Sequence, residues 1–328
     1  MTHLLEPVAV ALPNQAQEDE CPFNMPDVKG AAKVDPENIK DDDKKRAQSR
    51  QENNGGTLGE NLTNASPGKK GTIEGPFPPD TPQKRPAYDA KRKDGKNFRW
   101  VVVMGAADIP EGRFPLLVAA HHLIPGNASL KPSKIMSFMK KGGSIKSKAG
   151  KTYKIKDHIG YNVNGAHNGI WLPGNYAIRR AGAAWQKVPK KGKSWSGLAD
   201  HPWCECYVAA VVKATGGQFH DAHTQYSAHV KNQLNTLAAA LSFHIDFCDP
   251  CKSKQKKGLP PPFIIKLQLY NYSRQLWNQL CGAPTSWKRP YFASDRWRDK
   301  VFRGSRISPI FKMAYNHARA VHSPNPRE

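Results

Sequence analysis

The apolar positions of this 328-residue chain fall into short runs punctuated by Gly, Pro and Asn, and most lie after residue 98. FRWVVVMG, beginning at Phe98, is β-branched and closed by a glycine, which predicts a buried strand. PLLVAAHHLIP, ending at Pro125, is strand-like or helical. KPSKIMSFMKKGG predicts a short amphipathic helix closed by Gly142-Gly143. HNGIWLP is an apolar run after an Asn-rich loop, and CYVAAVVKATGG predicts a helix with a glycine stop. From about His223 to His244, the positions His223, Tyr226, Val230, Leu234, Leu237 and Leu241 recur every three or four residues, one face of a longer helix. FIIKLQLYNYSRQLWNQL and SPIFKMAYNHARAVH predict two more. Mostly helices with a few strands make an α+β domain.

Residues 1–90 lack this patterning. DPENIKDDDKKRAQSRQENNGGTLGENLTNASPGKKG is polar and charged, and PFPPDTPQKRP is proline-rich. Such segments bury too little apolar surface to offset chain entropy, which predicts linker or disorder over 1–90 and a folded domain over 91–328. CPFNMP is the one candidate docking patch in the leading part. No apolar run reaches membrane-spanning length, and the start MTHLLEPVAVALPNQ lacks a basic region and a small-residue cleavage site. The expectation is a protein that spans no membrane and that would be exported, if at all, without a signal peptide.

Charge sharpens the division. The net charge is +23, yet the first 60 residues hold 12 acids and 7 bases, leaving 43 bases against 15 acids in the remainder. A body so basic attracts nucleic acid or an anionic surface. KKGGSIKSKAGKTYKIK and KVPKKGKSWSG interleave lysines with aromatics and glycines; Lys140, Lys141, Lys190, Lys191 and Lys193 are the candidate phosphate contacts. Trp185, Trp195 and Tyr153 are candidates for stacking on bases or for packing under the loops.

Three segments carry candidate chemistry: His121-His122, Asn162 to Pro173, and His220 to Tyr226. Neighbours in a strand face opposite ways, so adjacent histidines cannot share one structural task. His220 and His223, at i and i+3, are expected on one face of a first helical turn, where imidazoles can close on a transition metal. The segments AHHLIP (Ala120 to Pro125), NGIWLP (Asn168 to Pro173) and HDAHTQY (His220 to Tyr226), in that order, resemble the AHH nucleases of the HNH/endonuclease VII, or His-Me finger, superfamily. The resemblance covers roughly residues 98–245, leaving 246–328 as a helical C-terminal extension.

It implies a ββα-metal core embedded in the helical domain. It further implies His121 as metal ligand, His122 as general base, Asn168 bracing the loop or orienting the base, and His223 with His220 as further ligands. The 51 residues between Asn168 and His220 depart from the compact pattern. They leave the choice among His220, His223 and His229 open, with His167 a further candidate. One divalent cation (Mg, Mn, Ni or Zn) would serve phosphodiester cleavage, the base working near its own pKa.

The same resemblance implies an interbacterial toxin, many such nucleases being warheads of polymorphic or type VI secretion systems. Its substrate would be DNA, cut in the target-cell cytoplasm. Its partners would be an acidic immunity protein and a secretion apparatus or adaptor engaged through the N-terminal region. Two rivals remain: a non-catalytic, zinc-stabilised nucleic-acid-binding module, and an RNase of the same fold. Cys204, Cys206, Cys248 and Cys251 could hold a structural zinc, form a disulfide or stay free; no His-x-Glu precedes Pro-Cys-x-x-Cys, which excludes the zinc-deaminase pattern.

Overall fold

A computed structural model describes residues 21–23, 51–64, 99–103, 112–116, 118–174, 202–254, 257–281, 283–303 and 306–322. The architecture is α+β, mixing helices with small sheets. The chain divides into two compact units that interleave in sequence: Met1–Thr81, His122–Gly169 and Ser227–Gln275 form one, and Pro82–His121, Ile170–Tyr226 and Leu276–Glu328 the other.

The first unit begins with a departure from expectation. Cys21, Pro22 and Phe23 are buried, and Gly55–Asn64 forms a helix, α1, inside the stretch expected to be disorder. Leu58 and Leu62, one helical turn apart, are fully buried and close on Gly169, where a Cβ would meet Leu58 Cδ1 at 2.7 Å. The polar residues ahead of α1 are not solvated spacers. Gln51 Nε2 donates to Tyr161 O at 2.7 Å, and its Oε1 accepts from Val163 N at 3.1 Å. Asn-rich sequence here is structure held by amide side chains, which composition alone reads as linker.

After His122 the chain makes a wide helical turn, Gly126–Leu130, and a short helix α2, Met136–Met139. A hairpin of Ser144–Lys146 and Thr152–Lys154 follows, paired antiparallel. Ile145 and Tyr153 point inward, while Lys146, Lys148, Lys151, Lys154 and Lys156 are exposed. The helix α3, Thr224–Phe247, buries Val230, Leu234, Leu237 and Leu241, the stripe that periodicity predicts. A short helix α4, Asp249–Ser253, and the helix α5, Ile264–Leu280, follow it.

The second unit is built on a three-stranded antiparallel sheet. Arg99–Val103 is its centre, flanked by Gly112–Pro115 and by Arg319–His322. The helix α6, Pro202–Thr215, packs on it with Trp203, Tyr207, Val208 and Val211 buried, and ends at Gly216 with φ +69°. The next helices are α7, Asp295–Val301, and α8, Pro309–His317, whose Phe311 and Ala314 join that core. ARAVH, expected as helix, is the edge strand Arg319–His322: pairing with residues 99–102 satisfies its backbone, and α8 stops at Ala318 with extended ψ. A further two-stranded pair, Val118–His122 with Gly169–Pro173, makes a strand of PLLVAAHHLIP and lies where the chain leaves this unit and re-enters it.

His167, in the first unit, is fully buried against Tyr161 and Tyr270, ring centroids 5.1 and 4.5 Å away, with no hydrogen-bond partner for either ring nitrogen. Burial pulls its pKa from 6.5 down to about 3. Between those values the unfolded chain carries a proton that the folded chain refuses, so stability falls as pH drops from 6.5 towards 3. His167→Phe should flatten that decline in urea titrations by up to about 1.4 kcal/mol per pH unit, one proton's worth.

Candidate metal centre and base

The second unit brings three histidines together. His121 leaves the strand Val118–His122 buried, and its ring centroid lies 4.7 Å from that of His220 and 4.9 Å from that of His223. One ring nitrogen from each lies within 4.8 Å of the others. Three imidazoles from two separate segments at that spacing can close on one ion. Tyr226 completes the wall, 5.7 Å from His121 and 5.5 Å from His223 between ring centroids.

The scaffold explains why they converge. His220 does not lie on a helix, as the i, i+3 spacing suggested. It bridges to Gly174, its N–H donating to Pro173 O at 2.7 Å, at the end of the strand paired with that of His121. His223 immediately precedes α3, whose N-terminal amides are capped by Asp295: Thr224 N donates to Oδ2 at 2.6 Å and Gln225 N to Oδ1 at 3.3 Å. Asp221 N donates to Ala293 O and Asp295 N to Ala222 O, clamping the loop from both sides. Burial lowers the pKa of His223, and Asp295 and Asp221 oppose that. A neutral ring is the form that ligates metal.

His122 belongs to the first unit. Its Nε2 lies 2.8 Å from Asn164 Oδ1. That oxygen also accepts from Asn54 N at 2.8 Å, while Asn164 Nδ2 donates to Glu52 O at 3.0 Å, which fixes the amide's orientation. Nε2 therefore carries the hydrogen, and Nδ1 of the neutral ring is the acceptor. Burial lowers the His122 pKa, partly countered by the Asn164 hydrogen bond.

Asn168 acts differently. Fully buried, it accepts from Ile124 N at 2.8 Å and Ser273 Oγ at 3.1 Å, and donates to Ile124 O at 3.0 Å and Val163 O at 2.8 Å. It braces the chain just after His122, and Asn164 is the residue that orients the ring. The sequence pattern does not single out Asn164, although it stands in the Asn162 to Pro173 segment. His229 is in neither metal-competent cluster, and His167 is the ring buried between Tyr161 and Tyr270.

The cysteines sort otherwise than their spacing suggested. Cys204 and Cys206 are packed in the α6 core of the second unit, where burial pushes the Cys206 thiol up to about 11. Cys248 and Cys251, in the first unit, meet Cys21 instead, with sulfur separations of 3.2 and 3.4 Å. Cys21, His244 and Cys248 form the second group able to hold a metal. Lys140 and Lys141 are exposed beside the lysine hairpin, and Tyr153 is packed. Lys190, Lys191, Lys193, Trp185 and Trp195 lie outside the described residues. No family model matches this chain, and no curated protein or solved structure does either.

Proposed function

We propose that the chain is a metal-dependent endonuclease of the His-Me finger kind that cuts DNA as an interbacterial toxin. The observation that carries this is the convergence of His121, His220 and His223 into one ligand set. In the proposed ββα core, the strands Val118–His122 and Gly169–Pro173 supply the ββ part and α3 the helix.

A divalent ion held by the three imidazoles would act as Lewis acid on a phosphodiester oxygen and stabilise the departing oxygen. An all-imidazole donor set suits Zn, Ni, Cu or Fe better than Mg, which prefers oxygen ligands. His122 Nδ1 takes the proton from the attacking water, and Asn164 holds the ring by its Nε2–H. Burial keeps that ring neutral, the form a base needs. The exposed lysines of the hairpin and Lys140-Lys141 supply phosphate contacts that do not read sequence.

The toxin role rests on the motif resemblance, with the acidic leading 60 residues engaging a delivery partner and the basic body an acidic immunity protein. Among the described residues no helix is long and apolar enough to cross a membrane.

In full-length protein, His122→Ala should lower plasmid nicking by ~100- to 10,000-fold while leaving the fold, read by circular dichroism, unchanged. Parental cutting by that variant would refute the base assignment; an RNA-only activity would transfer the case to an RNase. After EDTA treatment, Ni or Zn should restore cutting at lower concentration than Mg, and His220→Ala should raise the metal concentration needed for half-maximal activity. Replacing Lys140, Lys141 and Lys154 by Ala should flatten the plot of log DNA affinity against log salt by about 0.9 for each phosphate no longer neutralised.

A further inference from the structure

Cys21, His244 and Cys248 each place one ligand atom within 4.8 Å of the others, although Cys21 is 227 residues from Cys248, and the Cys251 sulfur lies 3.4 Å from that of Cys21. His244 lies in the last turn of α3, and Cys248 is the residue that caps α4. The junction between the two helices thus presents His-x-x-x-Cys-x-x-Cys as a single turn. Cys248 Sγ accepts a hydrogen bond from Cys251 N at 3.3 Å, an arrangement that favours a negative sulfur at the head of a turn. The three sulfurs are buried, Cys21 lying 3.2 Å from Cys248 and 3.4 Å from Cys251. One ring nitrogen of His244 lies within 4.8 Å of the Cys21 and Cys248 sulfurs.

We propose that these four residues hold a structural zinc ion. A disulfide would join two sulfurs and strand the third beside an imidazole, whereas here Cys21 is in reach of both others. Hydrogen bonds of thiols to one another or to an imidazole are weak, whereas one ion would engage all of these buried groups at once. Tetrahedral zinc at ~2.3 Å from each sulfur would space the sulfurs ~3.8 Å apart, close to the 3.2 and 3.4 Å that separate Cys21 from Cys248 and Cys251; Cys251, outside the group formed by Cys21, His244 and Cys248, would close towards the ion as the fourth ligand. Three thiolates and one imidazole are a donor set for closed, four-coordinate zinc rather than for a catalytic ion with an open position.

The ion would tie Cys21 to the α3–α4 junction. Phe23, two residues on, is buried with its ring 6.4 Å from that of Phe138, so the same short segment is held twice. Residues 21–23 are thereby fastened within the first unit, independently of the histidine site and of any nuclease activity.

Cobalt substitution of reduced, full-length protein tests this, because only a thiolate site gives a sulfur-to-cobalt charge-transfer band; the three-histidine site gives none. The band should appear, persist in Cys204→Ser and Cys206→Ser, and lose about a third of its intensity in Cys21→Ser as three sulfurs become two. Since Cys21→Ser could fail to fold, alkylation of the unsubstituted protein provides a second reading. Cys21, Cys248 and Cys251 should be protected together when zinc is bound and become reactive together on chelation, while Cys204, Cys206 and Cys281 do not respond. A folded, reduced protein with no charge-transfer band overturns the proposal. So does a Cys21 disulfide in the protein as isolated that takes up no metal after reduction, or a band undiminished in Cys21→Ser.

Discussion

Burying a carboxamide costs several kcal/mol unless its hydrogen-bonding capacity is filled, and the first unit is organised around two amides that meet this condition. Asn168 commits both donors and both acceptor directions to Ile124, Val163 and Ser273. Asn164 commits both acceptor directions to His122 and Asn54 and one donor to Glu52, and its backbone carbonyl takes Asn61 Nδ2 from α1 at 2.8 Å. Through them the loop of residues 162–168, the segment after His122 and α1 share one set of bonds. Loss of either amide would leave several buried partners unsatisfied at once, so these positions are coupled rather than additive.

The adjacent histidines gain their meaning from that frame. In a strand, consecutive side chains turn to opposite faces, and His121 and His122 follow the rule into different company. His121 joins His220 and His223, fixed by a backbone bridge to Gly174 and by the Asp295 cap on α3. His122 joins Asn164. A cluster of imidazoles suits metal ligation, and a ring held by one nitrogen with the other left as acceptor suits proton transfer. The two tasks require different surroundings, which one side chain could not have. The cysteine cluster is separate in chemistry: soft, closed and suited to holding chain segments together.

Much of this was legible in the residue pattern, and the boundary of legibility is physical. The three-to-four spacing from Tyr226 to Leu241 specified a helix and its buried face, because both follow from local geometry. Gly216 specified a stop, since a positive φ suits glycine. The doubled histidine and the later His-x-x-His specified the ligand candidates by residue type. What the tertiary structure decided were the pairings whose partners lie far away in sequence. Residues 51–64 are ordered because Asn164, more than a hundred residues on, satisfies their amides. Arg319–His322 is a strand because Arg99–Val103 offers an edge. Cys248 and Cys251 take Cys21 rather than Cys204 and Cys206, whose helix buries them in another core. Periodicity records what a segment does with its own backbone. Hydrogen-bond satisfaction and ligand sets are completed across the chain, so they are written only in the folded molecule.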